Sequence, residues 1–219
     1  SAGNPKTWTS FLKEKGITVV HVVSSVKFAL KAESAGVDAI VCEGFEAGGH
    51  NGREETTTFT LISMVIEQVR IPVIAAGGIA TGRGMLAAMV LGAEGVQIGS
   101  RFAATTESSA HINFKNTIVK VKDGDTQVTL KELAPVRLIK NQFYDTVQKL
   151  YQQNPSKEQL KELLGRARAK KGMFEGDLEN GELEIGQIAG IIHQIKPAKE
   201  VLDEIINEFK EVKAFIFKL

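Results

Sequence analysis

Apolar and polar positions in the first half of the chain follow two alternating rhythms. Short runs rich in β-branched residues read as buried strands: "ITVVHVV" (Ile17 to Val23), "DAIVCE", "IPVIAAGG" and "EGVQIGS". Between them, apolar residues recur at helical spacing. "VKFALKAESAG" follows Ser25, places Val26, Ala29 and Leu30 on one face, and stops at Gly36. A second helix is predicted from about Thr60 to Val69, carried by Leu61, Ile62, Val65 and Ile66. A third lies in "GRGMLAAMVLGAE" and closes near Gly92. Strand starts near residues 17, 38, 72 and 95 leave room for a helical crossover each time. The pattern therefore predicts an α/β fold with a parallel sheet covered by helices.

After Phe102 the rhythm changes. Thr105 to Thr129 is polar, has few periodic apolar residues and contains the turn "KDGD". A helix is expected after Pro135. Another is expected around Lys157 to Lys171, opened by a capping box in which Gln159 stands three residues after Ser156. A final amphipathic helix spans about Ala198 to Phe215, with Val201, Ile205, Phe209 and Val212 at helical intervals.

Composition narrows the function classes. Among 219 residues, 27 Lys and Arg balance 26 Asp and Glu, so no general attraction to nucleic acid or acidic membranes is expected. No apolar run is long enough to predict a membrane span. One cysteine, Cys42, excludes an internal disulfide and suits a reducing cytoplasm; at the end of a buried strand it reads as a small core residue. The histidines are not at metal-ligand spacing, and no catalytic metal is predicted.

Glycine marks the candidate chemistry. In parallel α/β folds, working residues gather at the carboxyl ends of strands. "AAGGIATGRG" and "QIGS" end consecutive strands here. Gly77, Gly78 and Gly99 let backbone N–H groups approach an anion, Ser100 adds a hydroxyl, and Gln97 and Ile98 lead into that turn. The helix starting near Gly82 is expected to aim its N–H groups at the same anion. Arg101 either neutralises a phosphate or is a salt-bridged structural arginine. In "GRARAKKG", Arg166, Arg168, Lys170 and Lys171 form either a solvated face or a dock for an acidic carrier or nucleotide phosphates.

The segments "EGFEAGGHNG", "IPVIAAGGIATGRGMLAAMVLGAEGVQIGSRF", "ESSAHINFK", "PVRLIKNQF" and "EGDLENGELEIGQIAG" resemble the nitronate monooxygenase (2-nitropropane dioxygenase) family of FMN flavoenzymes. The branch of FMN-dependent enoyl-acyl-carrier-protein reductases looks closest, on "RLIKNQF" and "GDLENGELEIGQ". The resemblance implies the C-terminal half of a TIM (β/α)8 barrel, strands five to eight, with about a hundred preceding residues absent from this sequence. The opening "SAGNPKTW" reads like the middle of a longer protein. The expected division is a half-barrel over 1–104, a helical insertion over 105–180, and a return to the barrel with a C-terminal helix over 181–219. The missing half-barrel would be supplied in cis or by another chain, and a homodimer is expected.

The same resemblance implies FMN as cofactor, NADH or NADPH as reductant, and an acyl-carrier-protein-linked enoyl substrate. The alternatives are a small nitro substrate oxidised by O2, and a non-catalytic half-barrel. The phosphate of that flavin falls to the turns of Gly77, Gly78, Gly99 and Ser100, with Gln97 and Ile98 as further cofactor-binding residues; the resemblance puts Glu43, Gly48 and Gly49 on the ring side and implies catalysis by His50. An imidazole held there can orient an acyl carbonyl or move a proton at the carbon beside it. His21, His111 and His193 are expected to be structural. Gln187 is either a flavin-facing residue or a buried amide in a helix cap.

Overall fold

A computed structural model, which describes residues 3–216 and Lys218, shows strands and helices alternating up to Ala103. In chain order these are α1 (Thr9–Glu14), β1 (Val20–Val23), α2 (Val26–Ser34), β2 (Ala39–Glu43), β3 (Gly49–His50), α3 (Thr58–Ile66), β4 (Val73–Ala76), α4 (Gly82–Val90), β5 (Gly95–Gln97) and α5 (Ser100–Ala103). Then follow α6 (Ile112–Ile118), β6 (Thr126–Thr129), β7 (Val136–Ile139), α7 (Gln142–Tyr151), α8 (Lys157–Leu164), α9 (Arg168–Met173) and α10 (Ala198–Ile216). Contacts divide the described residues into two units. Unit 1 takes the chain up to Glu46, Glu54–Ile98 and the stretch from Glu204 on; unit 2 takes Ala47–Arg53 and Gly99–Asp203.

Unit 1 holds a four-stranded parallel sheet in the order β1-β2-β4-β5. Ile40, Cys42 and Ala75 from its strands pack with Leu61, Ile62 and Val65 of α3, all fully buried. The helices start where the sequence offers caps: the Ser25 hydroxyl accepts from Phe28 N–H at 3.4 Å, and the Thr81 hydroxyl from Gly84 N–H at 3.0 Å. Parallel register puts Glu43 beside Ala76 and Ala76 beside Gln97, so three carboxyl ends share one edge of the sheet.

Unit 2 holds a three-stranded antiparallel sheet in the order β3-β7-β6. The insertion over 105–180, expected to be helical, thus also contains the strands β6 and β7. Residues 136–139 also form a strand where a helix was expected after Pro135. All four residues of "VRLI" are buried, because β7 is the middle strand and is covered on both faces. The helix comes later: Asn141 caps α7 by accepting from Tyr144 N–H at 3.0 Å. The polar stretch before it also holds structure, since Phe114 and Ile118, one turn apart, anchor α6 in the core. The capping box at Ser156 and Gln159 is present, but α8 ends at Leu164, and a separate α9 follows Gly165. The expected boundaries at 104/105 and 180/181 differ from the contact division: residues 181–203 cluster with unit 2, where Leu183, Ile185, Ala189 and Ile192 fill its core.

Candidate functional site

In unit 1 the expected residues lie on one edge of the sheet. Glu43 ends β2, half-buried, and its carboxyl accepts no hydrogen bond from a described residue; burial raises its pKa, favouring the neutral form. Gly77 and Gly78 follow β4 with φ of +93° and +67°, a turn that a residue with a Cβ makes only under strain. At Gly77 a Cβ would stand 2.8 Å from the Gly44 carbonyl oxygen, so close packing of the neighbouring loop also requires glycine there. The Glu46 side chain passes Gly78, but its charge is taken up elsewhere: it accepts from Thr58 N–H at 2.9 Å and from the Thr58 hydroxyl at 2.8 Å. Gln97 ends β5 and Ile98 packs against the unit 1 core.

The expectation for Gly82 is corrected. Its N–H donates at 2.7 Å to the carboxylate of Glu208 on α10, which also pairs with Arg83 at 2.8 Å. The start of α4 is therefore neutralised by a side chain of the same unit.

In unit 2 three expected residues, Gly48, Gly49 and Ser100, converge on the segment 184–186. Gly49 and His50 form β3, paired with Arg137 and Val136 of β7. A Cβ on Gly48 would stand 2.4 Å from the Ile185 carbonyl carbon, and one on Gly49 would stand 2.8 Å from Glu184 Oε2. These glycines are thus required by the protein's own backbone and by a carboxylate, a reason nearer than any ligand. Gly186 N–H donates to Ser100 Oγ at 3.0 Å, which leaves the Ser100 O–H for a further acceptor. A Cβ on Gly99 would meet nothing within 4 Å, so this turn has space beside it. The His50 side chain is exposed. Beside it, Asn51 donates to the carbonyls of Ala47 and Gly49 at 3.0 and 2.9 Å, while its buried Oδ1 has no partner among the described residues.

Taken by itself, each unit offers groups that fit part of the flavin that the resemblance implies: in unit 1 the Gly77–Gly78 turn presents N–H groups without side chains, and in unit 2 Ser100 keeps a donor beside the open Gly99 turn.

Other candidates resolve into structure. Arg168 donates to the carbonyls of Leu163, Leu164 and Asn180 and lies 4.5 Å over the Phe143 ring. Lys170 pairs with Glu175 at 2.8 Å and Lys171 with Asp177 at 3.0 Å, so the basic cluster is largely engaged locally. Arg101 donates to the Gln194 carbonyl at 3.3 Å. His111 caps α6 by accepting from Asn113 N–H at 3.1 Å. His21 is buried on β1, and burial lowers its pKa. His193 and Gln187 are both exposed, His193 in a connection rather than a helix. Burial pushes the Cys42 thiol up to about 12, which removes thiolate chemistry. Among the described residues no cluster of three or more His, Cys, Asp or Glu could hold a metal, and no helix is long and apolar enough to cross a membrane.

Sequence reasoning missed Glu182 and Glu184. Burial, reinforced by the Glu184 charge and opposed by Arg168, pushes the Glu182 carboxyl up to about 7. Burial also raises Glu184, and His50 pulls it back. The signal was present in "ELEIG", where acidic and apolar residues alternate as in a strand whose two faces are both covered.

A family model described as nitronate monooxygenase matches residues 1–208. A probable nitronate monooxygenase of Staphylococcus saprophyticus is 34% identical over 211 residues, covering 92% of this chain and 59% of that protein. The chain thus spans about three-fifths of the length of the curated relatives it matches. The structure of FabK from Thermotoga maritima is similar over 99% of this chain and 68% of its own, with a TM-score of 0.92 and 45% identity. That of a nitroalkane oxidase from Streptomyces ansochromogenes covers 99% of this chain and 64% of its own, with a TM-score of 0.80 and 26% identity.

Proposed function

Since the chain belongs to the nitronate monooxygenase family, we propose that it forms part of an FMN-dependent oxidoreductase reducing the double bond of enoyl thioesters carried on acyl carrier protein. The observation that carries this reading is the likeness to FabK, an enoyl-acyl-carrier-protein reductase, at 45% identity against 26% for the nitroalkane oxidase. NADH or NADPH would be the reductant.

When bound, FMN would supply the two-electron chemistry that links a reduced nicotinamide to the double bond of an enoyl chain. The residues expected to hold it are Gly77, Gly78, Gln97 and Ile98 in unit 1 and Gly99 and Ser100 in unit 2. Glu43, Gly48 and Gly49 are expected on the ring side. Glu43 suits that place because a carboxyl with a raised pKa can donate a hydrogen bond in its neutral form. His50, exposed on β3, gives a proton to the carbon beside the thioester carbonyl. Hydride at one carbon and proton at the next complete the saturation of the double bond.

The test compares two substrates on the flavin-loaded protein. Oxidation of NADH or NADPH that depends on crotonyl thioester is expected. The reading fails if crotonyl thioester leaves nicotinamide oxidation unchanged.

A second reading, oxidation of alkyl nitronates by O2, is favoured by the names of the curated relatives. In it His50 acts on the carbon bearing the nitro group. Consumption of propyl nitronate in air without nicotinamide would support it, and its absence would remove it.

A further inference from the structure

His50 sits on a loop that its own sequence leaves loose. Gly48 and Gly49 precede it, and neither has a side chain that could fix the backbone. Gly49 takes φ of +75°, and His50 is exposed, so packing of the ring does little to hold the loop. Asn51 supplies what the glycines lack. Its side-chain amide reaches back along the chain, and Nδ2 donates to the Ala47 carbonyl at 3.0 Å and to the Gly49 carbonyl at 2.9 Å. Ala47 and Gly49 are both buried, so without this amide their carbonyls would lose these partners away from water. Two carbonyl oxygens facing one end of the amide also settle which atom there is nitrogen. The other end, Oδ1, is buried with no partner among the described residues, so the side chain works as a donor of two bonds.

Asn51 is itself anchored within unit 2. Its N–H donates to the Pro135 carbonyl at 2.9 Å, just before β7, and Gly49 and His50 pair with Arg137 and Val136 of that strand. Two residues on, the Arg53 guanidinium donates to the carbonyls of Lys131 and Leu133, each at 2.8 Å. Residues 49–53 are therefore fastened to the β6–β7 hairpin, and the Asn51 amide carries that order back to Ala47.

We propose that Asn51 is the positioning residue of His50: its amide closes the loop 47–51 and fixes the backbone from which the imidazole projects. This rests on His50 as proton donor. A group that transfers a proton gains from being placed in advance, because ordering it during the reaction adds to the barrier. Asn51 acts through the Gly49 backbone and needs no contact with substrate. Because it acts only as a donor, its role depends on N–H groups and not on size or polarity.

The experiment compares Asn51→Ala, Asn51→Ser and Asn51→Asp in the intact protein, first by backbone nitrogen NMR relaxation. In Asn51→Ala the order parameters of Gly48, Gly49 and His50 are expected to fall from about 0.85 towards about 0.6, with residues 136–139 unchanged. Asn51→Ser keeps one donor and should fall less; it also serves if Asn51→Ala does not fold. Unchanged order parameters at 48–50 overturn the proposal. With flavin and crotonyl thioester, Asn51→Ala is expected to lose about tenfold in kcat with KM little changed. Asn51→Asp, equal in size but unable to donate as a carboxylate, should lose at least as much. Full activity in Asn51→Asp would mean that size matters and donation does not, and would overturn the proposal. In a His50→Asn background, Asn51→Ala should cost nothing further; the same tenfold loss there would show that Asn51 does not act through His50, and overturn it too. Full turnover in His50→Asn alone would defeat the functional reading, while the order parameters still decide whether Asn51 holds the loop.

Discussion

Glu182 holds its proton to about pH 7 because its carboxyl, 7% exposed, is desolvated beside another acid. The folded state therefore binds this proton more tightly than the unfolded chain, whose carboxyl titrates near 4.5. The resulting stability is fully present below the unfolded value and is lost as pH rises from about 4.5 through about 7. Glu182→Gln is expected to flatten that decline and to raise the urea midpoint above the window; equal midpoints on its alkaline side would refute this. At His50, replacement by Asn is expected to cost at least about a hundredfold in kcat/KM while leaving flavin binding intact, as measured by turnover and flavin fluorescence. His50 stood out in the sequence through the resemblance carried by "EGFEAGGHNG", since a histidine on a glycine loop is by itself most often a polar loop residue; the structure places it exposed on β3. Glu184 did not: its burial depends on packing against Gly49 and bridging Leu138, far away in the chain, which no local period encodes.

At the scale of elements, β1, α2, β2, α3, β4, α4 and β5 were legible because each buries an apolar face whose spacing differs between strand and helix. The antiparallel sheet of unit 2 was not. β3 is only Gly49–His50, too short for any alternation, and its partner β7 lies more than eighty residues on. β7 itself is buried at all four positions, the charged Arg137 included, so "VRLI" shows no alternation that would separate a strand from a helix. At α4, Glu208 does what an anion was expected to do. Glu208→Ala removes both the Gly82 bond and the Arg83 pair, and should cost about 0.5–2 kcal/mol in chemical unfolding. A change within error would show that the cap is idle.

For the whole molecule, each unit has its own apolar interior. In unit 1 it is built on Ile40, Leu61, Ile62 and Val65; in unit 2 on Phe114, Ile118, Leu138 and Val147. Leu61→Ala and Leu138→Ala should each cost about 2–5 kcal/mol. By amide hydrogen exchange, each should speed opening chiefly in its own unit. Acceleration spread evenly over all described residues would mean that the two units open as one.

The central claim is that His50 delivers the proton that completes reduction of an enoyl thioester. The most direct measurement is single-turnover, oxygen-free kinetics of the flavin-loaded protein, following flavin absorbance in the wild type and in His50→Asn. Reduction by the nicotinamide should proceed alike in both, while reoxidation by crotonyl thioester should slow by about a hundredfold or more in the variant. Reoxidation at equal rates in the two proteins would contradict the account.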